Sequence, residues 1–304
     1  MIRVIVRRLL QAIPTLLGVS VLAFALVRLT GDPVATMLPP EASDREVEEF
    51  REKNGLNSPL VVQYLVFLRN AVTGSLGDSI RYGDPVTQMI AERFPATIQL
   101  TASSLGLAVL IGLPLGILAA RHRGTWIDKM CRWFAITGQA LPSFYLGILL
   151  IIFFGVWLRV LPTGGNQSAL SLVLPTLTLA SALLPLILRV SRGSLLDVLK
   201  QDYVRTARAK GLPENRVVYT HMIKNSIIPV VTIVGLQLGA ALSGAVITET
   251  VFAWPGIGRM LVDSIATRDY PVVQGVVLLA SLLFVLVNLL VDVLSARLDP
   301  RIRL

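Results

Sequence analysis

Few residues in this chain are of types that do chemistry, and none is spaced for a reaction. Cysteine occurs once, at Cys131, which excludes an internal disulfide and a thiolate metal cluster. His122 and His221 are too few for a histidine-rich metal centre. No HExxH, GxSxG or P-loop pattern is present, and no aspartate pair lies in an apolar stretch, so no catalytic, cofactor-binding or metal-ligating residue is assigned. The spacing that stands out is one for contact. Between 202 and 211, Tyr203, Ala207 and Gly211 recur every four residues, a face that narrows from an aromatic ring to bare backbone, with Arg205, Arg208 and Lys210 around it. Such a helix suits insertion into another protein's groove, or rest on anionic lipid.

The elements that must carry this helix are set by a shortage of charge. The 304 residues are 54% apolar with a mean hydropathy of +0.69, and they carry 47 charged groups. A soluble chain of this length would carry about 76. The missing charge is missing in blocks: Arg8 to Arg28 encloses 19 uncharged residues, Arg93 to Arg121 27, Arg132 to Arg159 26, Lys224 to Glu249 24, and Asp269 to Asp292 22. Arg159 to Arg189 encloses 29, of which a turn at Pro162–Ser168 leaves about 20 for a helix. About 20 residues cross a hydrocarbon core. The expected fold is therefore an all-α integral membrane protein of six transmembrane helices with a small helical extracytoplasmic insertion after the first.

Placing the charges gives the orientation. With both termini cytoplasmic, the inner segments hold 18 of the 28 Lys and Arg, and the outer ones 13 of the 19 acids. The net charge of +9 then has a membrane explanation, and nucleic acid is not an expected partner. Ala23-Phe24-Ala25 fits a signal-peptide cleavage pattern, but the first segment is read as an uncleaved anchor. Pro14, Pro114, Pro142, Pro175, Pro185 and Pro229 interrupt the spans, as ordinary kinks or as the shapers of a central cavity. Gly112, Gly116, Gly147, Gly235, Gly239 and Gly244 permit close helix contact.

Outside the spans, three regions are expected. Residues 1–29 form a tail and the first helix, 30–96 a helical extracytoplasmic region, and 97–304 a five-helix core with a cytoplasmic segment at 191–225. Within 30–96, Ser43 or Asp44 caps a helix to Lys53 with Gly55 past its end, a second runs from Pro59 to about Val72, and a short third starts near Pro85. This region is a lid over a pore or simple packing. In 249–271, Trp254 suits the membrane interface, Pro255-Gly256 makes a turn, and Met260–Ala266 forms a surface amphipathic helix, an interfacial anchor or a docking surface. In the cytoplasmic segment, Ser194 caps a helix through Lys210 that ends at Gly211, and Pro213 opens a second helix.

The run Asp202-Tyr203-Val204-Arg205-Thr206-Ala207-Arg208-Ala209-Lys210-Gly211, with Asn225 and Pro229 downstream, resembles the EAA-type signature of ABC importer permeases in the dipeptide, oligopeptide and nickel family. Gly31-Asp32-Pro33, Phe94-Pro95-Ala96-Thr97, Trp254-Pro255-Gly256-Ile257-Gly258, Arg268-Asp269-Tyr270-Pro271 and Asp299-Pro300-Arg301-Ile302-Arg303 extend the resemblance over nearly the whole chain. Arg205-Thr206-Ala207 stand where the general motif has Glu-Ala-Ala. The resemblance implies a bacterial inner-membrane permease that pairs with a second, homologous permease. It implies two cytoplasmic ATPase subunits, which bind the ATP and Mg and engage Asp202, Tyr203, Arg205, Thr206, Ala207, Arg208, Ala209, Lys210 and Gly211. It also implies an extracytoplasmic substrate-binding protein, for which Trp254, Pro255, Gly256, Arg268, Asp269 and Tyr270 are the docking or gating candidates. Dipeptides or oligopeptides are the expected cargo, with glutathione or a nickel chelate as alternatives. An ion-coupled secondary transporter is the rival from another class, and the absence of ionisable groups within the six intervals argues against it.

Overall fold

In a computed structural model, residues 2–29, 31, 34, 38, 39 and 42–298 are described. Asp32-Pro33 and the run from Asp299 to Arg303 lie outside the described residues. Those described are mostly helical: α1 Ile2–Leu29, α2 Asp44–Lys53, α3 Leu60–Val72, α4 Val86–Arg121, α5 Trp126–Ala140 and α6 Ser143–Leu150, continued by a π-helical turn Ile151–Trp157. There follow α7 Val173–Leu199, α8 Asp202–Ala209, α9 Ile223–Val251, α10 Ile257–Ala266 and α11 Tyr270–Leu298. The chain divides into two compact units, one of Met1–Ile5, Ile98–Trp254 and Leu286–Leu304, the other of Val6–Thr97 and Pro255–Val285.

Four stretches are long and apolar enough to cross a membrane: Val86–Arg121, Ala169–Leu199, Glu214–Leu242 and Tyr270–Ser295. A fifth is counted if Trp126–Ala140 and Ser143–Trp157, bent by 94° where they meet, make one span. Six were expected. The first interval lies in α1, whose apolar run Leu10–Leu26 is shorter than the others. The third is not one straight helix: Leu141 is extended at φ −92° and ψ 130°, and Pro142 then starts α6. A residue before proline is pushed out of the α region, which sets the break there. The short helix expected near Pro85 is instead the first turns of the 36-residue α4.

In the first unit, α4 and α7 meet along a ridge of small residues. A Cβ on Gly112 would stand 3.2 Å from Ile187 Cγ2, and one on Gly116 would stand 2.6 Å from Ser191 Cβ and 2.7 Å from the Leu188 carbonyl oxygen. Rising numbers on α4 meet rising numbers on α7, so the two helices run parallel. On the other side of α7, Gln237 of α9 donates to the Leu183 carbonyl at 3.4 Å, and Thr232 shares a hydrogen bond of 2.9 Å with Ser295 of α11. Gly235 of α9 lies against Val291, so α9 and α11 run antiparallel.

In the second unit, Ser43 and Glu46 close a capping box on α2, as the sequence predicts. Hydrogen bonds from the Ser43 backbone and side chain hold the exposed Glu46 carboxyl below its ordinary range, so the box persists at neutral pH and is lost as acid protonates Glu46. Tyr64 of α3 packs edge-on against Phe24 of α1 at 5.3 Å and shares a hydrogen bond of 2.8 Å with Ser20. Val86, Met89 and Ile90 of α4 form a core with Ile257 and Met260 of α10 and Val272 and Val276 of α11.

The α4–α7 ridge gives a direct test. Gly116→Ala should lower stability in detergent by about 1–3 kcal/mol, since neither Ser191 Cβ nor a helix carbonyl can yield easily. Gly106→Ala, where an added Cβ meets nothing within 4 Å, should be neutral or slightly stabilising in the same thermal melts.

Candidate functional site

The segment that carries the signature is built on the end of α7. That helix does not stop at Arg192 for a new one to begin at Ser194, as expected; it runs unbroken to Leu199. Fully buried Leu195 holds the last turns in the core, and the chain turns only at Lys200-Gln201, with Gln201 extended ahead of α8. Val204 and Ala207, three apart on α8, are buried with Leu195 of α7, Ala120 of α4, and Val217, Val218 and Met222 of the turn leading into α9. The remaining positions of α8, Asp202, Tyr203, Arg205, Thr206, Arg208 and Ala209, face outward, together with Lys210 and Gly211.

This corrects the face read from the sequence. Tyr203, Ala207 and Gly211 do not form one outward stripe, because starting the helix at Asp202 turns Ala207 toward the protein's own core. Tyr203 lies at the flank, 40% exposed, its hydroxyl accepting a hydrogen bond of 3.0 Å from Asn225 Nδ2. Gly211 lies past the helix, at φ +77°. The Gly211 amide donates to Arg208 O at 2.9 Å and the Leu212 amide to Ala207 O at 3.4 Å, the paired bonds of a Schellman end.

Charge pairs brace the surface. Arg208 grips Glu214 with two bonds, 2.6 Å from Nη2 and 3.0 Å from Nε, which raises the guanidinium's already high pKa. Arg121 at the end of α4 donates to Asn215 at 3.0 Å. Pro213 thus opens a continuous helical run, Glu214–Arg216, a π-helical turn Val217–Met222 and then α9, as expected. What remains outward is a basic surface centred on Arg205 and Lys210.

Sequence reasoning missed Asp128. Its carboxylate, 2% exposed, accepts from Arg192 Nε at 2.7 Å, Arg192 Nη2 at 2.9 Å and the Gly124 amide at 3.0 Å, with Arg132 at 3.5 Å. It ties the start of α5 to α7 seven residues before that helix ends. A signal was present: Thr125-Trp126-Ile127-Asp128 places an acid at the third position of a helix behind a Thr cap.

The outer candidates also resolve into anchors. Trp254 is fully buried, which removes it as an interfacial ring or docking residue. Its amide donates to Glu249 O at 2.8 Å, closing α9 around Ala253 at φ +50°. Pro255 is exposed, and buried Gly256 is the extended residue ahead of α10. The next amide, of Ile257, donates to Thr97 Oγ1 at 2.9 Å. Asp269, 1% exposed, accepts from Ser79 Oγ at 2.5 Å and from the amides of Ile80 at 3.1 Å and Arg81 at 3.4 Å, clamping the 79–81 loop. Tyr270 is buried, and its hydroxyl donates to Gly31 O. Arg268 takes the left-handed position that ends α10, at φ +57°. No cluster of three potential metal ligands occurs among the described residues.

A parallel α4–α7 pair with further helices against α7 is the permease core of ABC importers. Models of the binding-protein-dependent transport system inner membrane component match residues 112–304, and its N-terminal part residues 1–101; the chain belongs to this family, among the ABC importer permeases of the dipeptide, oligopeptide and nickel group. It is 47% identical, over all of its length and 99% of theirs, to the glutathione transport system permease proteins GsiC of Escherichia coli K12 and of Pectobacterium atrosepticum. By fold it is similar to an inward-facing MetNI methionine ABC transporter, with a TM-score of 0.58 at 20% identity, covering 70% of this chain and 97% of the other. An amino acid ABC transporter crystallised with histidines gives 0.55 at 15% identity, covering 69% and 94%.

Asp128→Asn should lower stability by up to about 3 kcal/mol, the lower end for a broken buried pair because Arg192 keeps some solvent contact. The loss should appear in thermal unfolding of the purified chain. Lys129→Gln, next to it in sequence, should leave the melting temperature within a degree or two.

Proposed function

We propose that the chain is one of two permease subunits of an ATP-driven importer in the bacterial inner membrane, carrying short peptides of glutathione's kind. Both termini are cytoplasmic, α1 supplies the sixth crossing, and two ATPase subunits take hold at α8 while a binding protein delivers cargo from outside. The observation that carries this reading is full-length identity of 47% to permeases named for glutathione transport. It moves glutathione ahead of dipeptides and longer oligopeptides as the cargo.

The packing supports the topology. Because α4 and α7 run parallel, the chain must return between them, and the bent α5–α6 pair makes that return if it counts as one crossing. α9 opposes α7, and α11 opposes α9, so Arg121, Leu199, Ile223 and Leu298 come to one side, the side rich in Lys and Arg. On that side, α8 lies on a core shared with the ends of α4, α7 and α9. A push on its outward surface is therefore passed to the spanning helices rather than absorbed by a loop. Arg205 and Lys210 suit pairing with acids of an ATPase groove, while Val204 and Ala207 fix the helix to the permease itself.

Arg205→Glu combined with Lys210→Glu should leave the protein in the membrane at normal level and cut uptake of labelled glutathione at least about tenfold, the effect of roughly 1.4 kcal/mol of lost partner affinity. Normal uptake by this double variant would remove α8 as the site of engagement. Proton-driven flux by the purified chain without an ATPase would remove the importer reading altogether.

A further inference from the structure

A cavity of about 320 Å³ lies inside the second unit, between the α2–α3 turn, the loop before α4 and the first turns of α11. Its wall joins apolar Phe67 and Leu76 to the amides of Asn70 and Gln274, and to opposite charges on Lys53 and Asp78. Gln274 is 5% exposed, and its amide nitrogen has no hydrogen-bond acceptor among the described residues. Buried donors are ordinarily satisfied, and leaving one unmade is costly. The missing acceptor has room to arrive in the cavity.

The walls themselves are held. Gln63 Nε2 donates to Ser58 O at 2.6 Å and to Leu56 O at 3.2 Å, fixing the α2–α3 turn. The Asp269 clamp fixes the 79–81 loop, and the Arg28 guanidinium stacks 4.7 Å from the Tyr270 ring centre at the remaining edge. A cavity with fixed walls, mixed lining and a buried donor has the character of a ligand site, at the small end of the usual range of about 300–1,000 Å³.

We propose that this cavity is an entry-side site for a peptide of two or three residues, separate from the path through the spanning helices. A peptide carbonyl accepts from Gln274, its carboxylate faces Lys53, its ammonium faces Asp78, and a side chain rests on Phe67 and Leu76. The inference rests on the peptide-importer reading above, since an importer gains from cargo held at its entrance after release by the binding protein.

The test uses the full chain in nanodiscs, without its binding protein, titrated calorimetrically with dialanine, with reduced glutathione, and with dialanine blocked at both ends. The free peptides should bind saturably. Gln274→Met and Asp78→Asn should each weaken them about fivefold, the effect of one hydrogen bond. The blocked peptide should bind more weakly by a similar factor. Because Asp78 is exposed, its variant reports on the site even if Gln274→Met fails to fold. Absence of saturable binding, or unchanged affinity in Asp78→Asn, overturns the proposal. Uptake in cells carrying the whole transporter separates the two readings. Import without binding to the isolated chain sinks the site alone, whereas binding without import sinks the importer reading.

Discussion

The arrangement of this protein depends on one close approach, that of α4 to α7. Gly112, Gly116 and Ala120 recur every four residues on α4, and Ile187, Ser191 and Leu195 do the same on α7. Two helices without side chains between them gain dispersion contacts along their whole length, which is the available driving force where lipid removes the hydrophobic one. The ridge also fixes register, because a shift along either helix brings a Cβ into a carbonyl. Its last members, Ala120 and Leu195, belong to the cluster that buries Val204 and Ala207, so the outward surface of α8 is placed by the same contact that pairs the spans. The Asp128–Arg192 pair then locks the start of α5 to α7 between Ser191 and Leu195.

The buried carboxylates follow one logic. Asp128 and Asp269 are each almost without solvent, and each takes hydrogen bonds from backbone amides, with guanidinium in one case and a serine hydroxyl in the other. Neither is arranged to carry a proton or an ion along a path, because their partners come from loops and helix ends rather than from facing spans. Burial of charge here joins segments distant in sequence. That agrees with an importer whose energy comes from outside the chain.

Much of this was legible in the sequence, and what was not has physical causes. The capping box at Ser43-Glu46 and the glycine ends at Gly55 and Gly211 were readable because local chemistry alone decides them. The end of α7 was not, because Arg192-Gly193-Ser194 looks like a stop and only the burial of Leu195 carries the helix past it. Nor were the ends of α9 and α10, where Ala253 and Arg268 take the left-handed position that glycine usually fills. Proline was equally ambiguous. Pro185 and Pro229 lie inside continuous helices, while Pro142 marks a 94° bend. Charge-free length located apolar segments well, yet it could not separate the bent α5–α6 pair from a straight span.

The non-glycine left-handed residues bear on where this fold holds its shape. An L-residue in that conformation costs roughly 1–2 kcal/mol relative to a right-handed one, so it persists only where neighbouring contacts over-determine it. Ala253 is followed by fully buried Trp254, and Arg268 by the clamped carboxylate of Asp269. In each case the residue just past the strain is the anchor. The sequence motifs around Trp254 and Asp269 therefore encode abrupt, rigid helix ends in the outer region, and the partner-facing chemistry there must come from residues that the anchors leave exposed, as Pro255 and Asp78 are.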